Sequence, residues 1–466
     1  MSQHNVTPAR TVLERPAVTH RKRMRRADLL VILSWASVAI VIALFLAEGS
    51  APGFGDVASI FTSLGILVGL VGTNLILLML VLAARVPVID RTFGHDRAMA
   101  AHRKIGKPAF YLILAHAALL TIGYGIRTSS NPVTWVMAML AINDIWLSVL
   151  ALALLVVVIV TSLVAVRRRF AYEVWHLIHL LSYFAVLVAI PHQLSVGGLF
   201  ADGTFQRYYW IGLYILVVAL VIGYRFVEPV VVSIRHSLVV SRVETVAPGV
   251  VSIIMKGRHI QELNAQGGQF FIWRFWTGSD WWHAHPLSIS AAPGKDTLRV
   301  TVRALGKGSR SLVDLPVGTR VSFEGPYGIF TQGARSSSRM LLVAAGIGVT
   351  PIRALIEQAR VAPGEATVIL RGPGDQPPYL WQEMLDVCTA KGAQVFLDEG
   401  PRPRHTESWL SADAVGKGFN IGAYTKHLTD TDLYVCGPGR WADLVIADAR
   451  NHGIKEHQIH VERFDW

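Results

Sequence analysis

Cysteine is almost missing from this chain, with two among 466 residues. That excludes a disulfide framework and any four-cysteine zinc or iron–sulfur site. Charge is scarce too, at 16%, against about 25% in ordinary soluble domains. With 52% apolar residues and a mean hydropathy of +0.42, the chain is neither disordered nor a wholly soluble enzyme. Acidic residues are the rarer charge, and they are rarest early. Before about residue 232 there are 19 Lys and Arg against 10 Asp and Glu; after it, 25 against 22. No internal repeat, long low-complexity linker, calcium loop or regulatory domain is evident.

Long apolar runs are plentiful and fall in the first half. Six are long enough for a bilayer core of about 30 Å, which takes about 20 helical residues: Leu29–Ala47, Ile60–Ala84, Met99–Tyr124, Ile145–Val166, Glu173–Val196 and Tyr209–Val227. A shorter run, Val133–Ile142, cannot span and reads as an outer-loop or interfacial piece. Basic residues alternate across the gaps. Arg10, Arg15, Arg21, Lys22, Arg23, Arg25 and Arg26 precede the first span. Arg85, Arg91, Arg97, Arg103, Lys104 and Lys107 lie around the second gap, and Arg167, Arg168 and Arg169 in the fourth. The other gaps hold only Arg127 and Arg207. The positive-inside rule then puts both termini in the cytoplasm. The polar arm, with no small-residue cleavage site after the first run, predicts an uncleaved first helix. Nucleic acid is not an expected partner, because no recognition motif or interleaved aromatics accompany the basic arm.

Ionisable side chains inside spans are costly and by default functional. The third span holds His102 and His116; the fifth holds His176, His179 and His192. His102 and His116 stand about 21 Å apart along a helix, about 40° from the same face. His179 and His192 stand about 19.5 Å apart, a matching depth step. His102 would share one level with His179, and His116 the other with His192. Each pair can hold a haem iron through axial imidazoles. The step from His179 to His192 turns an ideal helix about 140° off face, and Pro191 is expected to re-aim His192. His95 and His176 read as loop or supporting residues. Metal transport by the same histidines is the competing reading.

Past about Val232 the texture changes. Short β-branched stretches recur: Leu238–Val246, Val250–Lys256, Gln269–Phe275, Leu287–Ser290, Thr297–Ala304 and Arg320–Glu324. They predict a small antiparallel barrel. From Met340 onward apolar strands alternate with helices, predicting a parallel α/β sheet. Gly346-Ile347-Gly348-Val349-Thr350-Pro351 follows one of these strands and opens a helix. A helix N-terminus reached through glycines offers bare N–H groups to a phosphate. Arg371 ends the next strand, where an Arg can receive the 2′-phosphate of NADP. Arg402 and Arg404 are weaker candidates for that phosphate.

His285-Pro286-Leu287-Ser288-Ile289-Ser290 resembles the flavin-binding motif of the ferric reductase/NADPH oxidase superfamily. The resemblance implies that His285, Pro286, Leu287 and Ser288 line the isoalloxazine. Val302-Arg303-Ala304-Leu305-Gly306-Lys307-Gly308-Ser309 resembles the second flavin segment, implying Arg303, Gly306, Gly308 and Ser309 as pyrophosphate contacts. Gly325-Pro326-Tyr327-Gly328 is similar to the family's domain-junction turn. The loop with Gly346, Gly348, Thr350 and Pro351 resembles the family's GxGxxP form, and Cys436-Gly437-Pro438 its CGP motif beside the nicotinamide. Near the C-terminus, Glu462-Arg463-Phe464 resembles the Glu-x-aromatic tail, so Phe464 is the implied flavin-stacking ring, with Trp466 as its rival. The entries to the third span, Arg85-Val86-Pro87 to His102-Arg103, and to the fifth, Tyr172-Glu173-Val174-Trp175 to His179, join the resemblance. It implies two b-type haems on His102, His116, His179 and His192.

The expected fold is a multi-domain membrane protein: an all-α six-helix transmembrane bundle, an antiparallel β-barrel FAD domain and an α/β nucleotide-binding domain. The expected bounds are a basic cytoplasmic arm at 1–28, a di-haem bundle at 29–232, the FAD domain at 233–334 and the NAD(P)H domain at 335–466. The expected activity is a plasma-membrane (inner-membrane) oxidoreductase. It passes electrons from cytoplasmic NADPH, or NADH, through FAD and two haems to a small-molecule acceptor outside. Ala117-Ala118-Leu119-Leu120 after His116, with Thr62, Ser63 and Thr73 of the second span, supplies no basic group. Ferric chelates, a quinone or a protein therefore stand beside O₂ as acceptors. The alternatives are a membrane-anchored flavin reductase without haem and a redox-linked metal or proton transporter. The oligomeric state stays open.

Overall fold

The computed structural model describes residues 10–47, 53–128, 131–142, 144–170, 172–195, 198–278, 282–403, 407–425 and 427–464. They form two compact units. One comprises Leu29–Val86 and Ala98–Gly223; the other comprises the chain up to Asp28, Pro87–Arg97 and the chain from Tyr224. Among the described residues, six helices are long and apolar enough to cross a membrane.

The helices of the first half run α1 (Arg10–Leu46), α2 (Val57–Ala83), α3 (Pro87–Phe93), α4 (His95–Thr128), α5 (Pro132–Leu140), α6 (Ile145–Ser162), α7 (Val164–Arg167), α8 (Tyr172–Ser195), α9 (Phe205–Leu220) and α10 (Glu228–His236). Asp56 caps α2 by accepting from the Ser59 N–H at 2.9 Å. The run Val133–Ile142 is a short helix rather than a loop, with Pro132 in its first turn and Asn131 capping it. The fourth span stops earlier than its apolar run suggests. Leu163 is extended, and the chain resumes as the single turn α7. Thr161 and Ser162 donate back to carbonyls of the last turn, a local alternative that loosens the ladder. The sixth span overshoots in the other direction: α9 passes through a π-helical turn, Val221–Val227, into α10. Pro229 explains the widened turn, because it has no N–H to give the preceding carbonyls.

The second half opens with six antiparallel strands: β1 (Leu238–Ala247), β2 (Val250–Lys256), β3 (Phe270–Phe275), β4 (His285–Ser288), β5 (Thr297–Arg303) and β6 (Arg320–Tyr327). Their order is β4-β3-β6-β1-β2-β5. A bridge from Ile289 to Val300 joins the two edges, so the sheet closes into a barrel. Phe271, Trp273, Phe275 and Phe323 fill it. The Gly325–Tyr327 segment, expected as a turn, is the end of β6.

Five parallel strands follow: β7 (Arg339–Ala345), β8 (Ala366–Arg371), β9 (Gln394–Asp398), β10 (Thr431–Gly437) and β11 (Ile459–Arg463). Their order is β11-β10-β7-β8-β9. Strands β7, β8 and β10 are continuous apolar runs because helices cover both faces. Between them run α12 (Val349–Gln358), α13 (Trp381–Lys391), α14 (Ala412–Gly416) and α15 (Gly439–Asn451), after the single turn α11 (Lys307–Arg310) in the barrel. Strand order reverses between β7 and β10, and ligands of such sheets sit at the carboxyl ends of the strands at that switch point.

Candidate functional site

In the bundle the four span histidines gather as two pairs. The His102 and His179 rings lie 6.1 Å apart between centroids and 62° between planes. Two imidazoles on opposite sides of one metal, each about 2 Å from it, would place their ring centres about 6 Å apart. His192 lies within electrostatic range of His116. Pro191 sits inside an unbroken α8 that runs four residues further.

Backbone carbonyls of α2 orient two of the rings. His102 Nδ1 donates to Met79 O at 3.1 Å, and His116 Nδ1 to Gly65 O at 2.8 Å. A proton held on Nδ1 leaves Nε2 as the free ligand atom. His179 Nδ1 meets Ser162 Oγ at 3.3 Å, and its ring stacks on Trp175 at 5.1 Å. The Arg167 guanidinium covers the other ring system of that stack, 4.5 Å from the Trp175 centroid. Gly69 makes room for His116: a Cβ there would come 2.2 Å from Nδ1. Sequence reading missed Gly65 and Gly69, although their small-xxx-small spacing on an apolar helix signals a close helix contact. Ser162 and Asn74 carried no signal in the sequence, and Trp175 stood there only as part of the fifth-span entry motif. Asn74 is 1% exposed and accepts from Ser37 Oγ. Thr62 and Ser63 spend their hydroxyls on the Ala58 and Gly53 carbonyls. Among the described residues no group of three or more His, Cys, Asp or Glu could share a metal. Pairs suit a porphyrin iron, which needs only two protein ligands.

In the barrel, β4 carries His285, Pro286, Leu287 and Ser288 opposite Trp273, Ile272, Phe271 and Phe270 of β3. Ser288 is 4% exposed and its Oγ is buried with no hydrogen-bond partner. An orphaned hydroxyl at that position fits a flavin edge, since leaving it unmet would cost about 1–3 kcal/mol. The second expected flavin segment comes against the first: a Cβ on Gly308 would lie 3.4 Å from the His285 ring. Ser309 Oγ accepts from the Leu305 and Gly306 N–H groups and holds that loop closed. Arg303 ends β5, exposed.

At the switch point of the α/β sheet, the loop Gly346–Pro351 follows β7 and Cys436-Gly437-Pro438 follows the adjacent β10. The two loops touch, with Gly348 against the Cys436 carbonyl. Thr350 Oγ1 donates to Ile347 O and fixes the loop entry to α12. Cys436 is fully buried, and burial followed by the nearby Glu462 charge pushes its thiol well above the usual range. It sits there as a neutral thiol. Arg371 is drawn inward: Nε lies 3.3 Å from Asp398 Oδ2, and its other nitrogens reach the Gly372, Asp398 and Gly400 carbonyls. Phe464 packs against the core of this domain. Trp466 and Arg404 lie outside the described residues.

Glu462, the register partner of Cys436, is pushed up to about 8 by burial and then by the Asp96 charge. A carboxyl raised in the folded state stabilises the fold fully below its unfolded value of about 4.3. That contribution is lost as pH rises through about 8. Thermal melts between pH 5 and pH 8.5 are therefore expected to fall less steeply with pH in Glu462→Gln than in the wild type.

Residues 68–190 match the family described as the ferric reductase like transmembrane component. The chain is similar to ferredoxin–NADP reductase B of Sorangium cellulosum, at 29% identity over 38% of this chain and 77% of that protein. It is also similar to the flavohemoprotein of Bacillus subtilis, at 24% identity over 40% of this chain and 48% of that protein. It thus spans about half the length of the flavohemoproteins it matches. Among solved structures, the FAD/NAD-binding domain of a nitric oxide dioxygenase from Vibrio cholerae aligns with 49% of this chain and 98% of its own. The TM-score is 0.40 and the identity 19%. A ferric-reductase-like transmembrane component followed by a ferredoxin–NADP reductase-like module matches the fused architecture of the ferric reductase/NADPH oxidase superfamily.

Proposed function

We propose that the protein moves electrons across the plasma (inner) membrane, from cytoplasmic NAD(P)H to an acceptor on the outer side. The bound groups supply the redox chemistry: a two-electron hydride from the nicotinamide to FAD, then single electrons through two b-type haems. The chain holds and spaces them. His102 with His179 and His116 with His192 would hold the two haem irons; Ser288 would meet the flavin, and the Gly346–Pro351 loop the dinucleotide phosphates. The observation that supports this reading best is the His102–His179 ring separation of 6.1 Å inside an apolar bundle. The basic gaps support a cytoplasmic position for both termini.

A reduced-minus-oxidised spectrum of the purified protein tests it. A b-type band with two haems per chain is expected; no band leaves a flavin reductase on a membrane anchor. Gly69→Ala gives a finer test. Its methyl would displace the His116 ring, so haem per chain is expected to fall from two toward one. Gly106→Ala, whose methyl would meet only Met79 Cε at 3.4 Å, is expected to keep both. The acceptor is O₂, a ferric chelate or another oxidant. His192→Ala compared with wild type, in superoxide and ferric-chelate assays, identifies which route uses the outer pair.

NADPH is the proposed donor. A 2′-phosphate must compete with Asp398 for Arg371, so the gain from that contact is capped near one charge-assisted hydrogen bond. Arg371→Ala is expected to raise the KM for NADPH about tenfold and to leave that for NADH within about twofold. Steady-state kinetics with each nucleotide checks this.

A further inference from the structure

Four charged side chains join the flavin barrel to the nucleotide sheet, and the motifs assign them no role. Arg299, on β5, makes a two-pronged contact with Glu383 of α13, at 3.0 and 2.8 Å. Arg353, on α12, is 8% exposed. It meets the same carboxylate through Nε at 2.8 Å and Glu357 through Nη1 at 2.7 Å. The positive and negative charges balance, and two of the partners are nearly buried, which is the setting in which such pairs are strong and rigid.

Three of them, Arg299, Arg353 and Glu357, converge on one short piece of backbone, Ser290 to Ala292, and Glu383 ties the two arginines together. The Ser290 carbonyl accepts from Arg299 Nη2 at 2.8 Å and from Arg353 Nη1 at 3.2 Å. Arg299 Nε and Thr301 Oγ1 both donate to Ser290 Oγ. The Ala292 N–H donates to Glu357. This backbone is the direct continuation of β4, two residues beyond Ser288. At its other end, the network grips α12, the helix that opens from the Gly346–Pro351 loop. Gln358 extends the grip by accepting from the Gly267 N–H at 2.6 Å. The packing leaves no slack there: a Cβ on Gly267 would come 2.1 Å from Ala354 O.

We propose that Arg299, Arg353, Glu357 and Glu383 are an interdomain clamp that sets how the nicotinamide approaches the flavin. They are positioning residues for hydride transfer and touch neither cofactor. The proposal rests on the NAD(P)H-to-flavin reading above. Burial alone would raise the Glu383 carboxyl, but the Arg299 hydrogen bonds and the two guanidinium charges outweigh it and hold it below its usual range. Glu383 therefore stays charged at neutral pH. A displacement of about 1 Å at a reacting centre can cost about 100-fold in rate, so a rigid link between the strand holding one partner and the helix holding the other matters to the chemistry.

The test uses the full-length protein in detergent, as wild type, Glu383→Gln and Arg299→Lys. Single-turnover flavin reduction by NADPH is expected to slow at least tenfold in Glu383→Gln, with nucleotide affinity within about threefold and FAD content unchanged. Arg299→Lys, which keeps the charge but loses the two-pronged contact, is expected to fall between. A second readout needs no nucleotide: hydrogen exchange of the 286–296 and 349–358 segments is expected to quicken in both variants. A reduction rate within twofold of wild type overturns the clamp. So does a rate loss that tracks FAD loss, or exchange that does not change. A wild type that neither NADPH nor NADH reduces overturns the hydride reading itself, and the clamp with it.

Discussion

Alanine in place of His102 is expected to remove one of the two proposed haems and to abolish electron delivery to the proposed outer acceptor. The His102 ring faces His179 at 6.1 Å and is held by the Met79 carbonyl. Without it, His179 loses the imidazole that its ring faces. NADPH should still reduce the flavin at an unchanged rate, because the residues proposed to hold the flavin lie on β4 and at the end of β5. Reduction of the surviving haem should fall by on the order of 100-fold or more. The core to be crossed is about 30 Å thick, and one stop of two is gone. Haem analysis and stopped-flow spectra separate the two effects. His176→Ala is the control. His176 neighbours Trp175 on the same helix, and its loss is expected to leave two haems per chain. A loss of haem in that variant equal to the His102→Ala loss would count against the assignment.

Gly348→Ala is expected to be the most damaging small change in the soluble half. Its backbone is ordinary right-handed helix, with φ of −60°, so conformation is not the obstacle. Space is: a Cβ would come 2.3 Å from Cys436 O and 2.6 Å from its carbonyl carbon. Both obstacles are backbone of a central strand, which cannot swing aside. Overpacking of this kind costs about 1–3 kcal/mol or more. The strain falls on the junction of the two loops proposed to face the dinucleotide. NADPH affinity is expected to drop at least 30-fold, and the melting temperature by several degrees, while dithionite still reduces both haems. Gly346 in the same loop makes a useful contrast. Its φ is +57° and no atom stands within 4 Å of a Cβ. Alanine there meets only the left-handed penalty of about 1–2 kcal/mol and should keep measurable nucleotide binding. Isothermal titration with NADPH on both variants checks the ranking.

Much of the fold could be read from the sequence because its signals are local. Strand β2 was legible to the residue from its β-branched run, and the switch-point loop from glycines between an apolar strand and a helix. Local signals also misled. The run through Val166 looked like one span, but hydroxyls at Thr161 and Ser162 ended the helix before it. The continuation through a π turn to His236 was not legible, because an apolar count stops at the first charges. The candidate site divides the same way. Helical rise gave the depths of the four histidines. It did not give the rotation of each ring, which depends on carbonyls and glycines of a different helix. The link from Arg299 to Glu383 bridges 84 positions, and nothing in a single sequence marks two such residues as partners.

The contacts on α2 have a consequence for how the electron path is measured out. Gly65 and Met79 are 14 positions apart, and so are His102 and His116, on helices that read in opposite directions. The spacing between the two levels is thus gauged twice, like two rulers laid edge to edge. Neither helix can lengthen or shorten the interval alone. One residue inserted in α2 between Gly69 and Met79 would leave one mark aligned and throw the other off by a third of a turn. The spacing of the two proposed haem levels is therefore a joint property of two helices, and any change in it requires matched changes in both.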